Sequence, residues 1–443
     1  MEKIKFKKQF KKYLDYKESG IDWIGKIPKS WEAKKIKDFS HISIGWTPDT
    51  SKPEYFDGDN LWATIADMDS KVITETKNNI SEEAIRNTRI KKVKKGDLLY
   101  SFKLSVGKVA FAGQDMYTNE AIAVIEPSGT VTSKFLYYPL LDYFLNNANE
   151  NIYGAKLLNQ GLINNSVVAL PPKIDQEKIA EYLDKKTELI EQIISKKQRL
   201  IQLLQEKRMA IINQAVIKGL DENVEMISSG IDWIGKIPST WHLRKLKFIS
   251  NTRVSNVDKK SEDEISVKLC NYLDVYRNEI IQDQTDFMTA TATKGQIDKF
   301  GLSNGDVIIT KDSESPDDIG VPAYVDLDDT RNIVCGYHLA ISTPRTDLLL
   351  GKFLFRLFQS TIFRSYFEVN SNGMTRFGLN TYAIFNSSIL LPPLNEQVKI
   401  IDFLDEKTGV ISNAIDKIVK SIDLLVEYKA SLISNVVTGK III

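Results

Sequence analysis

Histidine and cysteine are scarce in this chain, and their scarcity excludes several kinds of chemistry. Of 443 residues only three are histidine, His41, His242 and His338, and only two are cysteine, Cys270 and Cys335. The histidines are scattered, so no histidine-based metal or acid–base site is expected. The cysteines lack both the paired spacing of a zinc site and the density of a disulfide framework, which fits a reducing, cytoplasmic setting. No stretch approaches the roughly 18 unbroken apolar residues a membrane helix needs, and the N-terminus, MEKIKFKKQFKKYLDYKESG, is charged throughout; neither an export signal nor an anchor is expected. Phosphate-binding GxxxxGK[ST], strand-borne GxGxxG and GxSxG signatures are also missing. Net charge is only +1, which argues against a uniformly basic nucleic-acid binder, but the charge is clustered. The first twenty residues hold seven lysines against three acids, and Arg86 to Lys108 holds eight basic residues against the single acid Asp97.

What the chain does contain is repetition. SGIDWIGKIPKSW (19–31) returns as SGIDWIGKIPSTW (229–241), with two of thirteen letters changed. LPPKIDQEKIAEYLDKKT (170–187) returns as LPPLNEQVKIIDFLDEKT (391–408), an offset of 221 residues. Between these anchors KKGDLLYS (94–101) answers SNGDVIIT (303–310), and AVIEP (123–127) answers AISTP (340–344), with spacings that drift as loop insertions would cause. A chain of this length exceeds the size of a single core. The repeat divides it into a basic arm (1–18), a globular segment (19–170), a helical tail (171–228), a second globular segment (229–391) and a second tail (392–443).

The globular segments alternate short β-branched runs, such as DLLYSF, VGKVAFA and DVIIT, with helical stretches at SKFLYYPLLDYFLNNAN and LGKFLFRLFQSTIFRSYF, which predicts an α+β fold. Each tail carries a heptad seam: Ile190, Ile194, Ile201, Leu204 and Ile211 in the first, and Ile411, Ile415, Ile418, Ile422, Leu425 and Leu432 in the second. Lys197, Arg208 and Lys429 interrupt the seams. Each tail should be a helix of about 40 residues, on the order of 60 Å long. The order of parts predicts that the two helices pack antiparallel, making a pseudo-two-fold molecule with a globular part at either end of a coiled-coil spacer. The near-identity of the DWIGKIP phrases predicts a shared packing role, with Trp23, Trp31, Trp233 and Trp241 docking each incoming chain, because segments reading different ligands would differ.

The positive chemical signal is basic and aromatic. Lys91, Lys92 and Lys94 precede a strand bearing Tyr100, and Lys103, Ser105 and Lys108 follow it; with Lys156 they are the first module's candidates for contact with DNA phosphates and bases. The second module places the acidic KDSESPDDIG (311–320) in the matching slot, so its candidates are Arg253, Lys294, Lys311, Thr375 and Arg376. A weak nuclease-like pattern, Pro48-Asp49 with Glu75-Thr76-Lys77, suggests a metal-dependent endonuclease as an alternative, and a coiled-coil protein scaffold is a second.

The doubled SGIDWIGKIPxxW, GDLLYS…VGKVA and LPPxxxQxxIxxxLDxKT phrases together resemble the specificity subunits of type I restriction–modification systems over nearly the whole chain. The resemblance implies two target-recognition domains, each reading one half of an asymmetric, bipartite double-stranded DNA site. It also implies a chain without catalytic activity or bound cofactor or metal. S-adenosylmethionine, ATP and Mg would reside on partners, namely two modification (methyltransferase) subunits docked on the repeated helices and two ATP-dependent restriction subunits.

Overall fold

Each Leu-Pro-Pro triplet sets the start of a long helix, because proline's fixed φ suits a first turn whose N–H groups have no partner anyway. The helices span Lys173–Lys218 and Leu394–Val437, 46 and 44 residues, slightly longer than the seams alone require. The computed structural model describes residues 11–88, 90–103, 105–142, 149–150, 156–258 and 264–443. Contacts gather into two units, Met1–Lys197 with Lys420–Ile443, and Gln198–Val419.

In the first unit Ile190 is buried with Leu432, Ile433 and Val436, with Ile194 and Leu425 at the cluster's edge. In the second, Ile212, Ala215 and Val216 are buried with Ile400, Ile401 and Leu404. The start of one long helix thus meets the end of the other in both units, so the pairing is antiparallel. Ile411 is buried, and Ile201, Leu204, Ile211, Ile415, Ile418 and Ile422 are half-buried. Acids neutralise two of the basic interruptions: Lys429 Nζ lies 2.7 Å from Glu191, and Arg208 Nη2 lies 2.5 Å from Glu279.

The globular parts share one topology. The first has a five-stranded sheet in the order Ser40–Ile44, Ile122–Pro127, Leu98–Ser101, Val109–Ala112, Val72–Ile73; the second has Ser250–Val254, Leu339–Pro344, Val307–Thr310, Pro322–Val325, Ile280–Ile281. In both, only the last pairing is parallel. A three-stranded sheet accompanies each, Tyr117–Thr118, Asn60–Ala63, Asn78–Ile80 in one and Ile333–Cys335, Ile265–Cys270, Met288–Ala292 in the other. The fold is therefore two tandem α+β modules. The helical stretch LGKFLFRLFQSTIFRSYF forms two helices, Gly351–Gln359 and Thr361–Val369, because Ser360 turns extended (ψ 149°) and caps the second through its hydroxyl.

The repeated phrases join globular part to helix. Tyr16–Glu18 pairs with Lys26–Pro28, and Met226–Ser228 with Lys236–Pro238, forming matching hairpins. Each is followed by a buried tryptophan, Trp31 or Trp241. These rings and the hairpin prolines pack against a glycine at the end of a long helix. A Cβ on Gly439 would lie 2.3 Å from Pro28 Cδ, and one on Gly219 would lie 3.3 Å from Trp241. Both glycines have positive φ, 69° and 76°, the left-handed turn that ends a helix. Trp23 and Trp233 sit nearer the surface, the latter stacked on Tyr366 at 4.8 Å.

The glutamine of LPPxxxQ performs the complementary task at each helix start. Gln176 Nε2 donates to the carbonyls of Thr130 and Pro171 while its Oε1 accepts from Thr132 N. Gln397 does the same with Leu348, Pro392 and Leu350 N. The aspartate of LDxKT adds an ionic tie that differs between copies: Asp184 accepts from the Tyr138 hydroxyl and pairs with Lys71, whereas Asp405 pairs with Arg356 and Lys352.

Cys270 and Cys335 are both buried, directly opposite each other on adjacent parallel strands and unoxidised. Burial pushes both thiols well above their ordinary range. Since the thiolate is the nucleophile, neither should be alkylated in the folded protein at pH 8. Labelling should follow global unfolding across a denaturant series, and rapid labelling of the native protein would contradict this packing.

Candidate nucleic-acid interface

The basic run Arg86–Lys108 does not form one patch. Its middle, Leu98–Ser101, is an inner strand buried on both faces, with Leu98 and Tyr100 in one core cluster and Leu99 in another. Tyr100, a candidate for DNA contact on sequence, is therefore a core residue with no exposed surface. The strand, roughly 13 Å long at ~3.3 Å per residue, divides the lysines into two groups. At one end Lys91 pairs with Glu126, and Lys92 and Lys94 lie 3.6 and 3.3 Å from Asp115. At the other end Lys103 and Ser105 are exposed, and Lys108 Nζ lies 2.6 Å from Asp69. Exposed ion pairs are worth under about 1 kcal/mol, so a phosphate can replace these carboxylates at little cost. Lys156 falls in the short strand Lys156–Leu157, its side chain outside the described residues, as are Arg89 and the first ten residues of the basic arm.

In the second unit the structure gathers three of the five candidates. Thr375 and Arg376 line a groove of about 500 Å³ together with Tyr272, Tyr276, Asp312 and His338, and Lys311 bonds to Asp312 from beside it. Arg376 Nη2 lies 2.6 Å from His338 Nε2, and His338 Nδ1 lies 2.9 Å from Asp312 Oδ2. Lys311 Nζ is 2.6 Å from the other Asp312 oxygen. The same Arg376 Nη2 lies 3.2 Å from His338 Nδ1, so the guanidinium nitrogen rests against the imidazole close to both ring nitrogens. Burial opposes ionisation of Asp312, but hydrogen bonds from Lys311 and His338 outweigh it and hold the carboxyl below its usual range. Tyr272 and Tyr276 stack at 5.7 Å with nearly parallel rings on one wall.

Arg253 and Lys294 lie outside this groove. Arg253 is a half-buried strand residue that donates to Thr343 Oγ1 at 2.7 Å, and that hydroxyl in turn bonds to buried Asp306. Its guanidinium is thus tied to the strand beside it. Lys294 opens the helix Lys294–Phe300 and is exposed. Sequence reasoning missed His338, Asp312 and the two tyrosines. Long-range pairing brings them together, and the one available signal was that an acidic loop and a rare histidine flanked the same strand pair.

The residues of the nuclease-like pattern bond locally. Asp49 accepts from its own turn at Ser51 N and Oγ, and Thr76 Oγ1 bonds to Asn79. Among the described residues no group of three or more His, Cys, Asp and Glu side chains could hold a metal ion, and no helix is long and apolar enough to cross a membrane.

The model of the type I restriction modification DNA specificity domain matches residues 28–205 and again 238–419. The chain belongs to this family. Its two matched stretches coincide with the two copies of the module, each running into a long helix. The chain is 31% identical over 192 residues to the MjaIX specificity subunit of Methanocaldococcus jannaschii, covering 42% of this chain and 44% of that protein. It is 22% identical to the MjaVIII specificity subunit of the same organism over 98% of this chain and 97% of that one. A chain from the solved structure titled "Structural basis underlying complex assembly and conformational transition of the type I R-M system" matches with a TM-score of 0.71 at 13% identity, covering 94% of this chain and 99% of that one. The HsdS subunit of Thermoanaerobacter tengcongensis matches with a TM-score of 0.50 at 14% identity, over 94% and 98% of the two chains. These structural likenesses carry the fold over 94% of the chain.

Proposed function

We propose that this chain is the non-catalytic DNA-recognition subunit of a type I restriction–modification complex. Its two modules each read one half of an asymmetric, bipartite double-stranded site, and the antiparallel helices fix the separation. Two modification subunits carrying S-adenosylmethionine dock on the repeated helices, and two restriction subunits using ATP and Mg join them. The observation that carries the reading is one topology used twice with unlike loops: the first module presents Lys103, Ser105 and Lys108 where the second presents the acidic segment 311–320. A duplicated frame with divergent tips suits a reader of two different sequences.

With its modification partner, the chain should bind a split site with an affinity that falls steeply with salt. Alone, with Mg, it should neither methylate nor cut. Inserting whole heptads between Gln192 and Gln214 should change the spacing between half-sites, mapped by methylome sequencing, and leave their bases alone. Altered bases at fixed spacing would refute the spacer role. Mg-dependent cleavage by the chain alone, lost in Glu75→Ala, would favour a nuclease, and binding without sequence preference would favour a scaffold.

A further inference from the structure

The groove of the second unit contains an arginine that is exposed yet fixed. Arg376 lies just before the strand Phe377–Leu379, which pairs with Ser371–Asn372, and the tip between them is so tight that a Cβ on Gly373 would lie 1.9 Å from the Arg376 carbonyl. The side chain is held in turn. One guanidinium nitrogen reaches His338, His338 reaches Asp312, and Asp312 takes a further bond from Lys311. The contact engages a single nitrogen, Nη2, against the imidazole, and the side chain is otherwise exposed.

Resting on the DNA-recognition reading, we propose that Arg376 reads a guanine in the major groove of the second module's half-site, with His338 and Asp312 as its positioning residues. Charge separates this role from a phosphate contact. Asp312, Glu314 and Asp318 line the same groove, so a phosphate entering it would meet carboxylates from more than one side. A guanine edge is neutral and offers two acceptors, N7 and O6, at the spacing of a guanidinium fork, a match that lysine lacks. The neighbouring carboxylates suit the other half of the pair, since cytosine N4 is a donor. Holding the guanidinium in place before binding also reduces the side-chain ordering lost on docking.

The test is methylation-site mapping in a host carrying the chain with its modification subunits, comparing wild type with Arg376→Ala, Arg376→Lys, His338→Asn and His338→Gln. The wild-type map should contain a guanine that Arg376→Ala alone loosens, with discrimination there falling roughly 5- to 150-fold, the span of one such contact. Arg376→Lys should fail at the same position. His338→Asn suits the left-handed backbone (φ 75°) but is too short to reach Arg376, so it should loosen that base and leave affinity for unrelated DNA unchanged. His338→Gln offers an amide oxygen to Arg376 and an N–H to Asp312, and should restore discrimination. A uniform loss of methylation in Arg376→Ala with the sequence intact, or full function in Arg376→Lys, would show a phosphate contact and overturn the proposal. Half-sites without guanine would overturn it too. A wild-type complex that methylates without sequence preference would instead overturn the recognition reading on which it rests.

Discussion

Replacing Gln397 with leucine should destabilise the second unit by about 3–5 kcal/mol, given that each buried group left without a partner costs ~1–3 kcal/mol. Gln397 is fully buried, and its amide makes three bonds: two donated to the carbonyls of Leu348 and Pro392, and one accepted from Leu350 N. Leucine keeps an apolar side chain in the buried site but removes the amide, so three backbone groups lose their partner. The measurement is the unfolding midpoint of the second unit, followed by calorimetry. Gln176→Leu should act alike on the first unit, where the same three bonds run to Thr130, Pro171 and Thr132. An unchanged midpoint in both variants would mean that the glutamines do not anchor the helices.

Trp241→Ala should cost about 3–5 kcal/mol, the usual range for emptying a buried aromatic site. The ring is 2% exposed, packs edge-on to Phe353 at 6.5 Å and abuts the glycine that ends the first long helix. Trp233, eight residues earlier in the same phrase, is 37% exposed. Trp233→Ala should therefore cost clearly less, and equal losses at the two positions would contradict the docking geometry. Near-identity of the phrase in both modules follows from this geometry, because each copy performs the same task of closing a hairpin over a helix end.

The duplication, the α+β modules, the helix starts and the antiparallel seam were all legible in the residues, because each rests on local or periodic chemistry. Proline fixes a first turn, a heptad fixes a buried stripe, and a repeated phrase implies a repeated contact. The role of the repeated glutamine within each phrase was not legible, since two of its three partners lie 44 and 46 residues away in one module and 47 and 49 in the other.

The binding surface divides along the same line. The sequence by itself determined where the two modules differ, and so which loops to inspect. Strand register decided the rest. It placed Tyr100 in a core, put Lys91, Lys92 and Lys94 at the opposite end of that strand from Lys103, Ser105 and Lys108, and tied Arg253 to Thr343. The same long-range pairing brought Asp312, His338 and Arg376, spread over 65 positions, into one hydrogen-bonded chain. Composition reports how much charge a segment carries, but only tertiary pairing decides which charges already have partners and which remain for a ligand.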